Sequence, residues 1–149
     1  MSVYMKPDYT FEEYMDYFNS FLEKRNLRKT YERNVILRTV YNFEEHFTLE
    51  TLLQKLQKTK EHICATTLYT TLNLFVEAGL VIKHHFPSQP PQYEKSCNIR
   101  SHNHLYMEDT NEIIEFSDNK LLEIIKNTED KYKVKATRYS LTIYCRNRE

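Results

Sequence analysis

A single glycine in 149 residues is the most restrictive feature of this chain. A dinucleotide-binding fingerprint needs three glycines, a phosphate-cradling P-loop two and a nucleophile elbow two, so none of these sites is present in standard form. Cysteine is nearly as scarce. Cys64, Cys97 and Cys145 are the whole complement, too few for a four-cysteine zinc site although enough to join a mixed one. The longest apolar runs, such as Leu80-Val81-Ile82, are far too short to span a bilayer. Residues 1–10 carry Lys6 and Asp8 but no apolar signal core. With three unpatterned thiols, the expectation is a cytoplasmic protein without a membrane partner. Net charge is missing too, at 21 bases against 21 acids, which argues against a disordered polyelectrolyte and does not advertise nucleic-acid binding.

What is present suffices for a folded core: 40% of residues are apolar and 13% aromatic, over a length that fits one ordinary domain or two small ones. Position matters more than the charge total. Residues 8–23 hold Asp8, Glu12, Glu13, Asp16 and Glu23 with no base, whereas residues 24–38 hold Lys24, Arg25, Arg28, Lys29, Arg33 and Arg38 against Glu32 alone. By itself this is the pattern of a solvated helix face.

Apolar spacing predicts four helices in the first half. Phe11, Tyr14 or Met15, Phe18 and Leu22 line one face of the first. Thr30 caps a second, with Ile36, Leu37, Val40 and Tyr41 inward, and Thr48 caps a third, with Leu49, Leu52, Leu53 and Leu56 inward. A fourth runs from about residue 65 to 78 on Leu68, Leu72, Phe75 and Val76, and Gly79 stands where a left-handed cap would end it. Leu80 to His85 reads as a strand, Pro87 to Pro91 as a turn and Gln92-Tyr93-Glu94 as the returning strand. This is the order of a winged helix-turn-helix with the fourth helix as reader, presenting Thr67, Tyr69, Thr70 and Asn73.

Beyond residue 95 the pattern changes. Short strands are expected at 102–106 and 111–116, a helix at about 118–132 and an alternating strand over 133–145. The expected fold class is α+β: a winged-helix DNA-binding domain over residues 1–95, then a small α/β dimerisation domain over 96–149. So small a second domain calls for pairing with another copy.

His102-Asn103-His104 is the sharpest local feature. On a strand, both imidazoles share a face, and Glu94, Glu115 and His46 are further nitrogen and oxygen donors suited to Zn(II), Fe(II), Mn(II) or Co(II). His62, His84 and His85 read as surface or wing residues. No nucleophile with a paired base appears, so an enzyme is not expected.

The motifs Leu27-Arg28-Lys29-Thr30-Tyr31-Glu32-Arg33, His46-Phe47-Thr48-Leu49-Glu50, Ala65-Thr66-Thr67-Leu68-Tyr69-Thr70-Thr71-Leu72-Asn73, Glu77-Ala78-Gly79-Leu80-Val81, Tyr93-Glu94, His102-Asn103-His104-Leu105 and Ile114-Glu115-Phe116-Ser117 resemble those of the ferric uptake regulator family, in order and in spacing. The resemblance implies a homodimeric, metal-responsive transcription regulator, usually a repressor of metal-uptake genes. It bears one divalent ion per chain, Zn(II) or Fe(II) foremost, on His46, Glu94, His102, His104 and Glu115, and binds a double-stranded DNA operator through Arg28, Arg33, Thr67, Tyr69 and Thr70. On this reading the basic 24–38 segment faces DNA.

Departures from the family pattern are equally informative. The positions of its first structural zinc pair are Met107 and Thr110, and only Cys145 remains near the second. A further site in the dimerisation domain falls on Ser101, Asn103, Leu122 and Tyr139. An arginine usual beside the reading tyrosine is Thr70, whose loss removes a contact worth about 1–3 kcal/mol of discrimination if it reads a base. Two alternatives follow: a haem- or thiol-responsive regulator using Cys97, or a metal-binding protein with weak DNA affinity.

Overall fold

The computed structural model describes residues 9–96, 103–136 and 139–149, which fall into two compact units divided near residue 98. The first contains α1 (Phe11–Lys24), α2 (Tyr31–Tyr41), α3 (Leu49–Gln57) and α4 (Ala65–Glu77), then the hairpin β1 (Val81–His84) and β2 (Gln92–Lys95). The second contains β3 (Asn103–Met107), β4 (Ile113–Phe116), α5 (Asn119–Tyr132) and β5 (Thr142–Cys145). The class is α+β, helix-turn-helix with a wing followed by a small α/β unit. No helix among the described residues is long and apolar enough to cross a membrane.

The helical stripes read from the sequence are the core of the first unit. Tyr14, Phe18 and Leu22 of α1 pack with Ile36, Leu37 and Val40 of α2, Leu52 and Leu56 of α3, and Leu68, Leu72 and Phe75 of α4, all essentially excluded from solvent. Removing each such side chain from water contributes about 1.5–3 kcal/mol. The Tyr14 hydroxyl donates to the Leu80 carbonyl and so ties α1 to the start of the wing. Helix starts follow the threonines. Thr30 accepts from the Arg33 amide at 3.2 Å, and Thr48 and Thr51 bond reciprocally in a capping box at 3.1 and 2.9 Å. Thr10 caps α1 in the same way, accepting from the Glu13 amide at 3.1 Å.

Gly79 ends α4 with φ +78°. The Gly79 amide donates to Val76 at 3.0 Å and the Leu80 amide to Phe75 at 2.9 Å, the paired bonds of a Schellman cap. The chain thereby reverses directly into β1.

In the second unit β3 is central, antiparallel to β4 and parallel to β5. The final strand is shorter than the alternation over 133–145 suggests. Lys133 closes α5 in a left-handed conformation, and only Thr142–Cys145 pairs with β3. The ladder starts at the His104–Thr142 pair, and the alternation upstream of Thr142 has no paired strand among the described residues. No residue of α5 is buried.

Met107 is buried opposite Cys145, and Thr110 donates to Glu112 at 3.3 Å. Beside them Asp109 accepts from the Asn147 backbone amide at 3.0 Å and from its side-chain amide at 3.1 Å. These bonds, the backbone one foremost, hold the Asp109 carboxyl below its usual range.

Gly79→Ala meets no steric obstacle, since nothing lies within 4 Å of the added Cβ, so its cost is the left-handed backbone, about 1–2 kcal/mol. A lower urea midpoint at unchanged slope measures it, and Gly79→Asn loses less. Asp109→Ala, which removes both bonds from Asn147, speeds amide exchange across β5 at neutral pH. Because folding depresses the Asp109 pKa, its contribution is complete above the unfolded value of about 3.9 and disappears as pH falls through the lower folded value. The difference between variant and parent therefore vanishes in stronger acid.

Candidate functional site

Two backbone bonds build the core of the site. The Phe47 amide donates to the Tyr93 carbonyl and the Tyr93 amide to the Phe47 carbonyl, both at 2.8 Å, an isolated antiparallel bridge joining the α2–α3 loop to β2. Stacked Phe47 and Tyr93 rings, 5.8 Å apart, hold one side of it. In such a pairing the neighbours one step along, His46 and Glu94, stand opposite each other as a non-hydrogen-bonded pair, where side chains approach most closely. His46 Nε2 accordingly lies 2.9 Å from Glu94 Oε2.

β2 is flanked on its other edge by β1. There Ile82 registers with Glu94 and His84 with Gln92, so His84 shares the Glu94 face one diagonal step away. His84 Nε2 reaches Glu94 Oε1 at 2.8 Å. His84 is thus not a surface residue of the wing: only 6% of it is exposed, and Phe86 stacks on its ring at 5.7 Å. His85, the next residue, is exposed. Glu94 itself is 3% exposed. A carboxylate at that depth is costly unless its oxygens are bonded, and here each oxygen has an imidazole nitrogen. Within this unit His46, His84 and Glu94 offer ligand atoms within 4.8 Å of one another.

In the second unit His104 lies on β3 and is buried, and it registers directly with Glu115 on β4. Cross-strand partners share a face of the sheet, so the unit presents a second imidazole and carboxylate together. His102 and Cys97 lie outside the described residues, and with Cys97 the haem- or thiol-responsive alternative.

The DNA-reading residues separate into two groups. Arg33, Thr67 and Thr70 line one open groove of about 400 Å³ between the starts of α2 and α4, together with Thr30, His62 and Cys64. Tyr69 and Arg28 are exposed, and the Arg33 guanidinium donates to the Arg28 carbonyl. The basic segment is partly neutralised internally. Arg25 pairs with Glu77 and Lys29 with Glu23, both at 2.6 Å, and Arg38 lies over the Phe11 ring at 4.2 Å. Thr70 donates to the Thr66 carbonyl at 2.9 Å, and Thr67 shares a 3.2 Å contact with the Cys64 thiol. Both hydroxyls are therefore already engaged by their own helix.

The model of the ferric uptake regulator family matches residues 24–144. A ferric uptake regulation protein of Vibrio cholerae is 36% identical over 127 residues, 85% of this chain and 84% of its own. A crystal structure of the V. cholerae ferric uptake regulator aligns at TM-score 0.59 and 35% identity, over 87% of this chain and 98% of that one. The Pseudomonas aeruginosa regulator, determined with manganese, aligns at TM-score 0.70 and 29% identity, over 88% and 98%.

Cys64 stands at the N-cap of α4, a placement that its residue type does not signal in the sequence. Hydrogen bonding from Thr67, its side chain foremost, lowers the thiol's pKa. At pH 7 iodoacetamide is expected to modify Cys64 faster than the half-buried Cys145, and Thr67→Val to slow the Cys64 reaction, as read by peptide mass mapping.

Proposed function

Because the chain belongs to the ferric uptake regulator family, and is a metal-responsive transcription regulator rather than an enzyme, we propose that it acts as a homodimeric repressor of metal-homeostasis genes with one regulatory metal site per chain. The observation that carries this reading is the buried Glu94 carboxylate, held with His46 across a bridge that also anchors the wing. His46 and Glu94 from the first unit, and His102, His104 and Glu115 from the second, are the proposed ligands. The donor set of imidazoles and carboxylates fits Zn(II) or Fe(II) foremost, with Mn(II) also suited. Bound by both units, the ion would favour whichever arrangement it ligates best, and it shifts the population toward DNA binding only by that differential affinity.

The remaining roles rest on exposure and chemistry. Ile114 on β4 and Ile143 and Tyr144 on β5 are exposed, and α5 has no buried residue. Pairing with a second copy would supply the core that a unit this small lacks. Arg28 and Arg33 are proposed to contact phosphates, and Thr67, Tyr69 and Thr70 to face the major groove. The bond from Thr70 to its own helix favours a second reading, a metal-binding regulator with weak operator affinity.

Metal per chain, measured on purified protein, is expected near one and is expected to fall in a His102→Ala, His104→Ala variant. Equal metal in both would overturn the site. On a duplex selected from a random library by the metal-loaded protein, chelation should weaken the mobility shift. Arg28→Ala should lower affinity and reduce the salt slope by about 1. A shift indifferent to metal would favour the second reading.

A further inference from the structure

We infer that His84 is a positioning residue for the metal site. It holds Oε1 of Glu94 so that Oε2 alone is presented beside His46. The inference rests on the reading of Glu94 as a ligand and adds a residue that stands outside the five proposed ligands.

The geometry separates the two oxygens of one carboxylate. His84 Nε2 lies 2.8 Å from Oε1, and His46 Nε2 lies 2.9 Å from Oε2. The two rings approach the carboxylate from different edges of β2, with centroids 5.5 Å apart and planes inclined by 50°. His84 arrives from β1 and His46 from the loop bridged through Phe47. Stacking of Phe86 on His84 restrains the ring, so the N–H direction is set before any ion arrives. A carboxylate whose Oε1 accepts from a fixed N–H is restrained in rotation, which favours ligation through Oε2 alone. Hydrogen bonds of this kind to ligating groups orient them, and their loss commonly lowers metal affinity 10–100-fold without changing the ligand set. His84 has nearly no exposed surface, which suits a supporting role better than contact with DNA.

The test uses the full chain and Co(II), whose visible d–d absorption reports ligand number and geometry. His84→Leu fills the space without a donor, and His84→Gln keeps one. His84→Leu is expected to retain one Co(II) per chain and the parent's d–d band while weakening affinity, measured by chelator competition, by about 10–100-fold. His84→Gln should recover most of that loss. In a Glu94→Gln background His84→Leu should have little further effect, because His84 acts through the carboxylate. If His84→Leu does not fold, His84→Met takes its place.

Unchanged affinity in the Leu variant would overturn the inference, as would full additivity with Glu94→Gln. A changed d–d band in both His84 variants, without rescue by glutamine, would make His84 a direct ligand and overturn it too. Failure of the underlying site has a different signature: Glu94→Gln alone would then leave Co(II) affinity at the parent's value.

Discussion

The pair of hydrogen bonds exchanged between Phe47 and Tyr93 is the constraint on which the site depends. An antiparallel bridge dictates not only which residues meet but which neighbours face each other beside them. Once Phe47 is bonded to Tyr93, His46 must stand opposite Glu94. The aromatic stack on the other face of the bridge makes that pairing part of the hydrophobic core. A polar site is thus positioned by apolar packing, and the stability of the wing and the geometry of the carboxylate are one problem.

Burial explains why the site is built as it is. Glu94 is almost fully removed from water, and a carboxylate left there alone would be strongly disfavoured. The His84 imidazole bonds Oε1 from one edge of β2, and His46 lies at ion-pair distance from Oε2 on the other. The arrangement is compact because a short hairpin and a short loop supply both partners. The price in the second unit is different: α5 covers little, the sheet has three strands, and large apolar groups remain exposed. A unit so poor in buried surface gains most from association.

At the end of the second unit, ordinary contacts tie β3 to the chain beyond β5. Met107 sits opposite Cys145 on paired strands, and the Asp109–Asn147 bonds tether the chain beyond β5. Such exposed bonds are individually small, but they act together with a buried methionine and a backbone bond from Glu108 to Cys145 at 2.8 Å. Charge is distributed in the same local manner. Two of the bases after α1 are paired with acids nearby, which leaves Arg28 and Arg33 as the more informative cations of the segment.

The sequence by itself determined the helices, their caps and the turn at Gly79, because each depends on residues within a few positions of one another. Period-3.6 spacing placed Tyr14, Phe18, Leu22, Ile36, Leu37 and Val40 inward, and threonines before those runs marked helix starts. It also singled out His46, Glu94 and His104 as donors by residue type. Tertiary structure alone decided that His84 turns inward while His85 stays exposed, since that follows from the register of β1 on β2. The Pro87–Pro91 turn does not encode that register. Hairpin alternation would have placed His84 and Glu94 on one face only had the partners been known. The closing strand is shorter than its alternation for a related reason: alternation shows that a segment can be a strand, but only pairing with a partner decides how much of it becomes one. Local rules act along the chain, whereas burial of Glu94 and the choice of its partners arise from segments dozens of residues apart meeting at one strand.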